Sequence, residues 1–362
     1  MKKSKRQRFQ IILIVLVPIF ILLNSILRNY PGFVEKYYST GIDKPIRQFL
    51  SFITGIFPFS VAEFLFFILV MVLLVMIILM FVRIRKGEFF RRLLAVGAYV
   101  SALYIIFMLV WGFNYDRLSF DKIAGLKMEK SSEKELYNLC SNLIDRANTL
   151  RKSVKENEQR VMYIPGGYQD VFKRVQLGYD SASKLYPELG GKYGRPKPVL
   201  LSEQMCYTGI TGIYMPYTGE PNVNIKIRDY MLPCTAAHEM AHQRGFARED
   251  EANYIAYVTC TAHPDPDFQY SGVMLAVIHS MNALADVNID DCRELVKKYS
   301  EGVRADLKDD NAFWARYEGQ IEKISDNVNN AYLKSNGQKD GVQSYGRMVD
   351  LLLADYRNKT VK

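Results

Sequence analysis

Cysteine and histidine are scarce in this chain of 362 residues, which contains five cysteines and four histidines. The cysteines stand singly and form no CxxC pair, which excludes a zinc knuckle and a thioredoxin-type motif. An odd number allows two disulfides at most, and buried single thiols are the favoured interpretation. Internal repeats and long low-complexity tracts are also absent, so a solenoid is not expected.

An excess of positive charge is missing from most of the chain. The formal net charge is +9, and two short basic patches account for it: residues 2–8 carry +5 and residues 83–92 carry +4. The remainder balances 37 basic against 37 acidic residues. This distribution excludes a nucleic-acid footprint and is typical of the cytoplasmic flanks of membrane spans.

Three long runs without charge lie in the first third, Ile11–Leu27, Phe64–Val82 and Leu93–Phe113, and they predict membrane spans over about residues 10–28, 62–82 and 92–113. Each is close to the ~20 residues that a helix needs to cross a bilayer. No small-x-small cleavage site follows the first run, so it is predicted to be a retained anchor. The sequence predicts a multi-pass membrane protein with a cytoplasmic N-terminus and a lipid bilayer as partner. Everything from about Asn114 onward is expected outside the cytoplasm.

The segment between the first two runs is too polar to span a membrane and rich in aromatic residues, with Tyr37, Phe49, Phe52 and Phe57 among them. Such a segment suits a short amphipathic piece at the outer membrane interface. An irregular connector is an equally open interpretation.

The chain is predicted to divide into a membrane region, residues 1–113, and a domain over residues 114–362. Leucines at helical spacing after Ser131 or Ser132 predict a first helix, and residues 168–186 predict a second. Residues 197–225 carry β-branched residues broken by Gly and Pro, which favour two or three short strands. From Pro233 the pattern is helical almost to the end. The fold class is therefore α+β, with one small sheet among helices.

The stretch HEMAHQRGFAREDEAN, residues 238–253, carries the clearest chemistry. If residues 233–244 form a helix, His238 and His242 project from one face, one turn apart, and can hold one Zn²⁺. Glu239 stands beside the first ligand and is the candidate general base of an HExxH hydrolase. Pro233 suits the first helical turn and Gly245 suits the end of the helix.

A third metal ligand is expected from the acidic run after Gly245. Glu249 is favoured, because Asn253 lies four residues later on the same face and can support a ligand histidine by hydrogen bonding. Glu251 stays open as the alternative ligand, since it leaves the chain a longer loop in which to reverse.

The strand-rich stretch before the motif is a candidate edge for an extended substrate, which would add to the sheet by main-chain hydrogen bonds. A plain structural hairpin is the alternative. The candidate edge residues are Tyr207, Gly209, Gly212 and Tyr214. For stabilising an oxyanion the sequence offers Tyr345 and His279. His279 lies in an apolar helix, where a core histidine is the alternative.

The stretches YTGITGIYMPYTGEPNVNI, HEMAHQRGFAREDEANYIAY, GVQSYGRMVDLLL and YPGFVEKYYSTGIDKPI together resemble a family of uncharacterised bacterial multipass membrane proteins. That family is a domain of unknown function, placed among gluzincin-like zinc metallopeptidases by its HExxH motif. The resemblance implies a bacterial cell membrane, a zincin-like domain of gluzincin type, and Glu249 with Asn253 as the downstream pair. The gap of six residues between His242 and Glu249 is shorter than gluzincins use, which keeps Glu251 open.

The expected function is a membrane-anchored zinc metallopeptidase that hydrolyses peptide bonds of peptides or proteins outside the cytoplasm. Two alternatives belong to other classes. One is a non-catalytic membrane sensor or scaffold with a structural zinc site, and the other is a zinc amidase that acts on cell-wall material. The sequence predicts no oligomeric state.

Overall fold

The computed structural model describes residues 5–83, 88–338 and 347–360. The chain divides into two compact units. The first comprises Met1–Leu118 together with Met215–Glu220, and the second comprises Ser119–Tyr214 with Pro221–Lys362. The boundary expected from hydropathy, after residue 113, lies slightly before the end of the first of these ranges.

The first unit contains three helices that are long and apolar enough to cross a membrane. The predicted apolar helices are therefore confirmed, and the third ends before residue 113 because the chain tightens into a 3₁₀ turn over Gly112–Asp116. In chain order the helices of this unit are α1 (Lys5–Leu27), α2 (Pro31–Phe33), a π-helix (Val34–Asp43), α3 (Lys44–Gly55), α4 (Val61–Val82) and α5 (Phe89–Val110).

The segment between α1 and α4 is helical over residues 31–55, with a π-helix between α2 and α3, so it is not an irregular connector. Its polar side chains pair with one another and with residues that follow α5. The Nε–H of Arg47 donates to Asp43 at 2.6 Å, and Asn114 donates to the same carboxylate at 2.7 Å. Arg117 forms a bidentate ion pair with Glu35. These bonds satisfy buried charges that would otherwise oppose folding.

The second unit is mainly helical with a small sheet, as predicted. It contains helices of up to 22 residues and three strands of two to four residues. In chain order they are α6 (Phe120–Ile123), α7 (Glu133–Arg151), α8 (Gly167–Arg174), α9 (Gln176–Ala182), β1 (Lys197–Pro198), α10 (Ser202–Cys206), β2 (Gly212–Met215), β3 (Glu220–Val223), α11 (Leu232–Gln243), α12 (Glu249–Thr261), α13 (Pro266–Val287), α14 (Ile289–Val296), α15 (Glu301–Trp314), α16 (Gln320–Ser335) and α17 (Met348–Thr360).

Local sequence signals explain where α7 begins. Ser132 and Glu135 form a capping box, in which each side chain bonds the other residue's main-chain N–H. The apolar residues at helical spacing are buried in the core. The predicted single helix over residues 168–186 is instead two helices that meet at Val175. Gly178 lets α9 approach the backbone of α12 closely, because an added Cβ there would overlap the carbonyl oxygen of Thr259.

The core of the second unit forms around α13, which packs against α7, α11 and α12. Gly272 permits the close approach of α13 to α12, since a Cβ at this position would lie 2.6 Å from the Cβ of Cys260. All but one residue of α11 is buried. The HExxH motif therefore lies inside a packed helical core rather than on a solvated surface helix.

The sheet has three strands in the order β1-β3-β2. Strands β1 and β3 are parallel, with Lys197 opposite Asn222 and Pro198 opposite Val223. Strand β2 is thus an edge strand, and the side-chain amide of Asn222 donates to the carbonyl of Ile213 at 3.2 Å. The turn between β2 and β3 belongs to the first unit, whereas most of both strands belongs to the second.

Candidate metal centre

The motif helix α11 begins and ends as its sequence predicts. Pro233 occupies the first turn, where the missing N–H removes no hydrogen bond. Gly245 has a φ of 85°, in the left-handed region that a residue with a Cβ rarely adopts. The main-chain N–H of Gly245 donates to the carbonyl of His242 at 2.7 Å. This reversal allows α12 to begin at Glu249 and return beside the motif.

Three side chains converge at this reversal. The Nε2 atoms of His238 and His242 are 3.0 Å apart. The Oε2 atom of Glu249 lies 3.1 Å from the first and 3.5 Å from the second. Among the residues that the structure describes, this is the one group of three or more His, Cys, Asp or Glu able to hold a metal ion together.

The spacing of these three atoms suits zinc. Ligand atoms at 2.0–2.1 Å from a tetrahedral zinc ion lie about 3.3 Å from one another. The distances between the three atoms range from 3.0 to 3.5 Å. Two imidazole nitrogens and one carboxylate oxygen are also a ligand set that zinc hydrolases use. The residues therefore fit a zinc ion without rearrangement of the helices.

The tautomer of His242 is set by the main chain. Its Nδ1–H donates to the carbonyl oxygen of Phe246 at 2.7 Å, which leaves the lone pair of Nε2 directed at the triad. The sequence assigned this supporting role to Asn253. Asn253 is buried on α12, four residues after Glu249, but the acceptor that the structure describes for His242 is the Phe246 carbonyl.

The electrostatics of the triad favour a charged carboxylate beside the imidazoles. Burial raises the pKa of Glu249, but the two histidines outweigh burial and hold it well below 4.5. Burial lowers the pKa of His242, yet the charge and hydrogen bond of Glu249 dominate and raise it to about 9. The carboxylate thus attracts a cation to the two ring nitrogens, and a metal ion can take the place of the proton.

Glu239 lies beside the triad and is 3% exposed. Burial raises its pKa to about 7, against the opposing charges of His238 and His242. Its Oε2 atom has no hydrogen-bond partner among the described residues. A carboxyl with this pKa and one uncommitted oxygen can accept and release a proton near neutral pH.

Strand β2 packs directly on Glu239. A Cβ built on Gly212 would come within 2.7 Å of both Cγ and Cδ of the glutamate, so a side chain at this position would displace the carboxylate. Glycine is therefore required for the strand to lie this close. Of the predicted edge residues, Gly212 is the one that the structure brings against the motif.

The other three predicted edge residues have different environments. The ring of Tyr207 lies edge-on to Tyr317 with centroids 5.0 Å apart. Gly209 has a φ of 69° and turns the chain beside Glu322. Tyr214 is buried in the second unit. Tyr207 and Gly209 precede β2 along the chain, and Tyr214 lies within it.

Glu251, the alternative ligand, is directed elsewhere. Its Oε1 accepts the main-chain N–H of Phe120 at 3.0 Å and lies 3.6 Å from Nε of Arg248. Glu251 therefore anchors the start of the second unit, and Glu249 is the glutamate that joins the histidines.

The two oxyanion candidates are Tyr345 and His279. Tyr345 lies outside the described residues. His279 lies on α13, and its pKa is lowered to about 4 by burial and, to a smaller extent, by the charge of His238. The ring is therefore neutral near pH 7 and close enough to interact electrostatically with the triad.

A buried arginine that the sequence did not single out fixes the motif helix. Arg244 donates to the carbonyl oxygens of Leu189 at 2.7 Å and Met240 at 3.0 Å. Its guanidinium stacks on the ring of Tyr179, 3.6 Å from the centroid. The hydroxyl of Tyr179 in turn donates to the carbonyl of Ala237 at 2.6 Å. The only sequence signal for this role is a charged residue directly after an alanine-rich helix.

All five cysteines are free thiols, and four of them are buried. Cys234, one turn before His238, donates its S–H to the carbonyl of Met231 at 3.1 Å. Burial raises its pKa to about 12. Cys234 thus packs in the core and is not a member of the His238, His242 and Glu249 group.

Comparison with known proteins gives a family and no activity. The family model described as protein of unknown function (DUF3810) matches residues 38–353, which is most of the chain. No curated protein and no solved structure matches the chain.

Proposed function

The chain belongs to the DUF3810 family of proteins of unknown function, and we propose that it is a membrane-anchored zinc-dependent metallopeptidase. The single observation that carries this proposal is the convergence of His238, His242 and Glu249 within 3.5 Å of one another, beside the buried carboxyl of Glu239. Metal ligands and a proton-transfer group at this spacing are the parts that a zinc hydrolase requires.

His238, His242 and Glu249 would hold the ion. The chemistry that zinc would supply there is acidification of a water molecule and polarisation of the scissile carbonyl. Glu239 takes the proton from the attacking water and returns it to the leaving nitrogen as the C–N bond breaks. Its raised pKa, about 7, matches a group that must both accept and give up a proton.

The edge strand β2 is the proposed substrate-binding element. An extended peptide can add to it by main-chain hydrogen bonds, and Gly212 places this strand against Glu239. A motif helix, a following helix that supplies a glutamate, and a small sheet with β2 as its edge strand together favour a zincin-like fold of gluzincin type. An edge strand beside the motif also favours a peptide substrate over a compact small molecule.

The proposed topology follows from the basic patches. Residues 2–8 and 83–92 carry the positive charge that flanks α1, α4 and α5, which favours a cytoplasmic N-terminus. With three crossings the second unit would lie outside the cytoplasm of a bacterial cell, where it would meet peptide or protein substrates at the cell surface.

The deciding experiment compares the purified full-length chain with Glu239→Gln for zinc content and for cleavage of a peptide library. Zinc is expected in both proteins at about one ion per chain. Cleavage is expected to fall by about 10²–10⁴-fold in the variant, because the proton-transfer group is lost while the ligands stay. Glu158→Gln, at an exposed position, is the matched control and should cleave like the wild type.

Each other outcome points to a different function. Equal cleavage by Glu239→Gln would rule out this mechanism. Zinc without cleavage of any peptide would favour a sensor or scaffold with a structural site, and cleavage of cell-wall amides alone would favour an amidase. Absence of zinc from a carefully loaded wild-type chain would remove all three zinc functions.

A further inference from the structure

Helix α3 in the first unit has its polarity reversed relative to a helix of a water-soluble domain. Its apolar side chains face outward: Phe49 is 63% and Phe52 73% exposed, and Ile56, directly after the helix, continues this stripe with 72%. Its polar side chains at i, i+4 and i+7 face inward, with Arg47 and Ser51 almost completely buried. An apolar stripe turned away from the protein requires an apolar solvent or partner.

We propose that α3 is a membrane-surface helix that lies in the plane of the bilayer, with lipid as the partner of its apolar face. Twelve residues make a helix about 18 Å long, which is too short to cross the ~30 Å hydrocarbon core. A short helix with one apolar and one polar face is the form that interfacial membrane helices take.

Continuity with the candidate spans argues for lipid rather than for a protein partner. The rings of Phe57 and Phe59 lie 5.6 Å apart, and Phe59 and Phe64 lie 5.3 Å apart. This chain of rings joins the end of α3 to the first turn of α4, whose side chains are also exposed along its length. Aromatic side chains are enriched where a membrane meets water. The same solvent therefore covers both surfaces.

The polar face of α3 has a different partner, the turn between β2 and β3. The hydroxyl of Thr54 donates to the carbonyl of Thr218 at 3.0 Å. Gly219 has a φ of 68°, and a Cβ there would lie 2.9 Å from the main-chain N of Ser51. The helix is thus held between lipid on one face and this turn on the other.

The turn is fixed at its other side by Glu220. The carboxylate of Glu220 accepts the main-chain N–H of Ala62 at 2.7 Å and that of Val61 at 3.3 Å, at the positive N-terminal end of α4. A membrane-surface α3 therefore seats the turn of the β2–β3 hairpin at the level of the lipid headgroups.

The test uses a fluorescent thiol label on the full-length chain in vesicles of phosphatidylethanolamine and phosphatidylglycerol. Phe52→Cys and Ile56→Cys each place the label on the apolar face of α3. Met71→Cys, in the middle of α4, reports the bilayer core, and Lys308→Cys, exposed on the second unit, reports water. Cys292→Ser in every variant removes the one native thiol that is not buried.

Lipids brominated either near the headgroup or near the chain end then quench the label according to its depth. Labels at positions 52 and 56 are expected to lose about half of their fluorescence to the shallow bromines, and less to the deep ones. The label at position 71 should show the reverse order, and the label at position 308 should lose none.

Three results would overturn the proposal. One is a label at position 52 that is as little quenched as the label at position 308, which places the face in water. Another is protection from quenching together with disulfide cross-linking of Phe52→Cys between two chains, which assigns the face to a second copy. The third is stronger quenching by the deep bromines at both α3 positions, which makes α3 part of a span.

Discussion

Two clusters in the second unit combine a buried histidine with carboxylates, and they differ in what neutralises the acids. Around His263, a single arginine, Arg174, forms ion pairs with three carboxylates. These are Asp170, Asp265 and Asp267. In the triad of His238, His242 and Glu249, the described ion-pair partners of Glu249 are the two histidines alone.

The contacts of the histidine ring nitrogens also differ between the two clusters. The Nε2–H of His263 donates to the carbonyl of Arg174 at 3.0 Å, and its Nδ1 accepts the main-chain N–H of Asp265 at 3.0 Å. Both nitrogens are used by the main chain, so no lone pair is available to a metal. In His242 the Nδ1–H donates to the carbonyl of Phe246, whereas Nε2 lies 3.0 Å from Nε2 of His238 and 3.5 Å from Oε2 of Glu249. The two clusters are therefore similar in residue composition and differ in the contacts of their ring nitrogens and in the cation that neutralises their acids.

The largest expected effect comes from removing a histidine from each cluster. His242→Ala is expected to reduce bound zinc from about one ion per chain to nearly none, because two ligands hold zinc far more weakly than three. His263→Ala should keep its zinc. Zinc is measured by inductively coupled plasma mass spectrometry on the full-length chain after loading and desalting.

Folding must be controlled in both variants, since His263 is buried and stacked on Phe268. Circular dichroism at the temperature of the zinc measurement separates the loss of a ligand from unfolding. Retention of zinc by a folded His242→Ala variant, or its loss from a folded His263→Ala variant, would contradict the distinction between the clusters.

The sequence predicts those parts of the site and fold that depend on local spacing. His238, Glu239 and His242 share one helix, so their relation follows from helical geometry, and the three apolar helices follow from hydropathy. The choice between Glu249 and Glu251 depends on how the chain reverses at Gly245, which is a tertiary result. The carbonyl of Phe246 is main chain, and no residue type signals that it holds a histidine.

The next effect in size comes from Arg174→Met, which leaves three carboxylates close together without their cation. The free energy of unfolding is expected to fall by about 2–3 kcal/mol, because like charges then face one another in a partly buried site. Calcium should restore part of this loss, since converging carboxylates suit it. Thermal unfolding with and without calcium measures both effects, and a wild type that calcium stabilises equally would contradict the explanation.

A smaller effect concerns the response of His263 to pH. Burial lowers its pKa, so the unfolded chain binds a proton that the folded chain does not. The neutral His263 ring is therefore compatible with the fold above about pH 6.5. Below this pH the free energy of unfolding falls, by up to about 1.4 kcal/mol per pH unit. His263→Gln should flatten this part of the profile of urea midpoints. An unchanged slope in the variant would mean that other groups control acid unfolding.

The smallest expected effect separates two glutamates that are two residues apart. Glu251 has an arginine neighbour, as the acids around Arg174 do, and its carboxylate bonds the main-chain N–H of Phe120. Glu251→Gln keeps an oxygen for that N–H and loses only the charge, so about 0.5–1 kcal/mol of stability should be lost. Its zinc content should equal that of the wild type, whereas Glu249→Gln should bind zinc more weakly. If Glu251→Gln lost zinc and Glu249→Gln kept it, the ligand would be the glutamate with an arginine beside it, and neutralisation would no longer distinguish the two clusters.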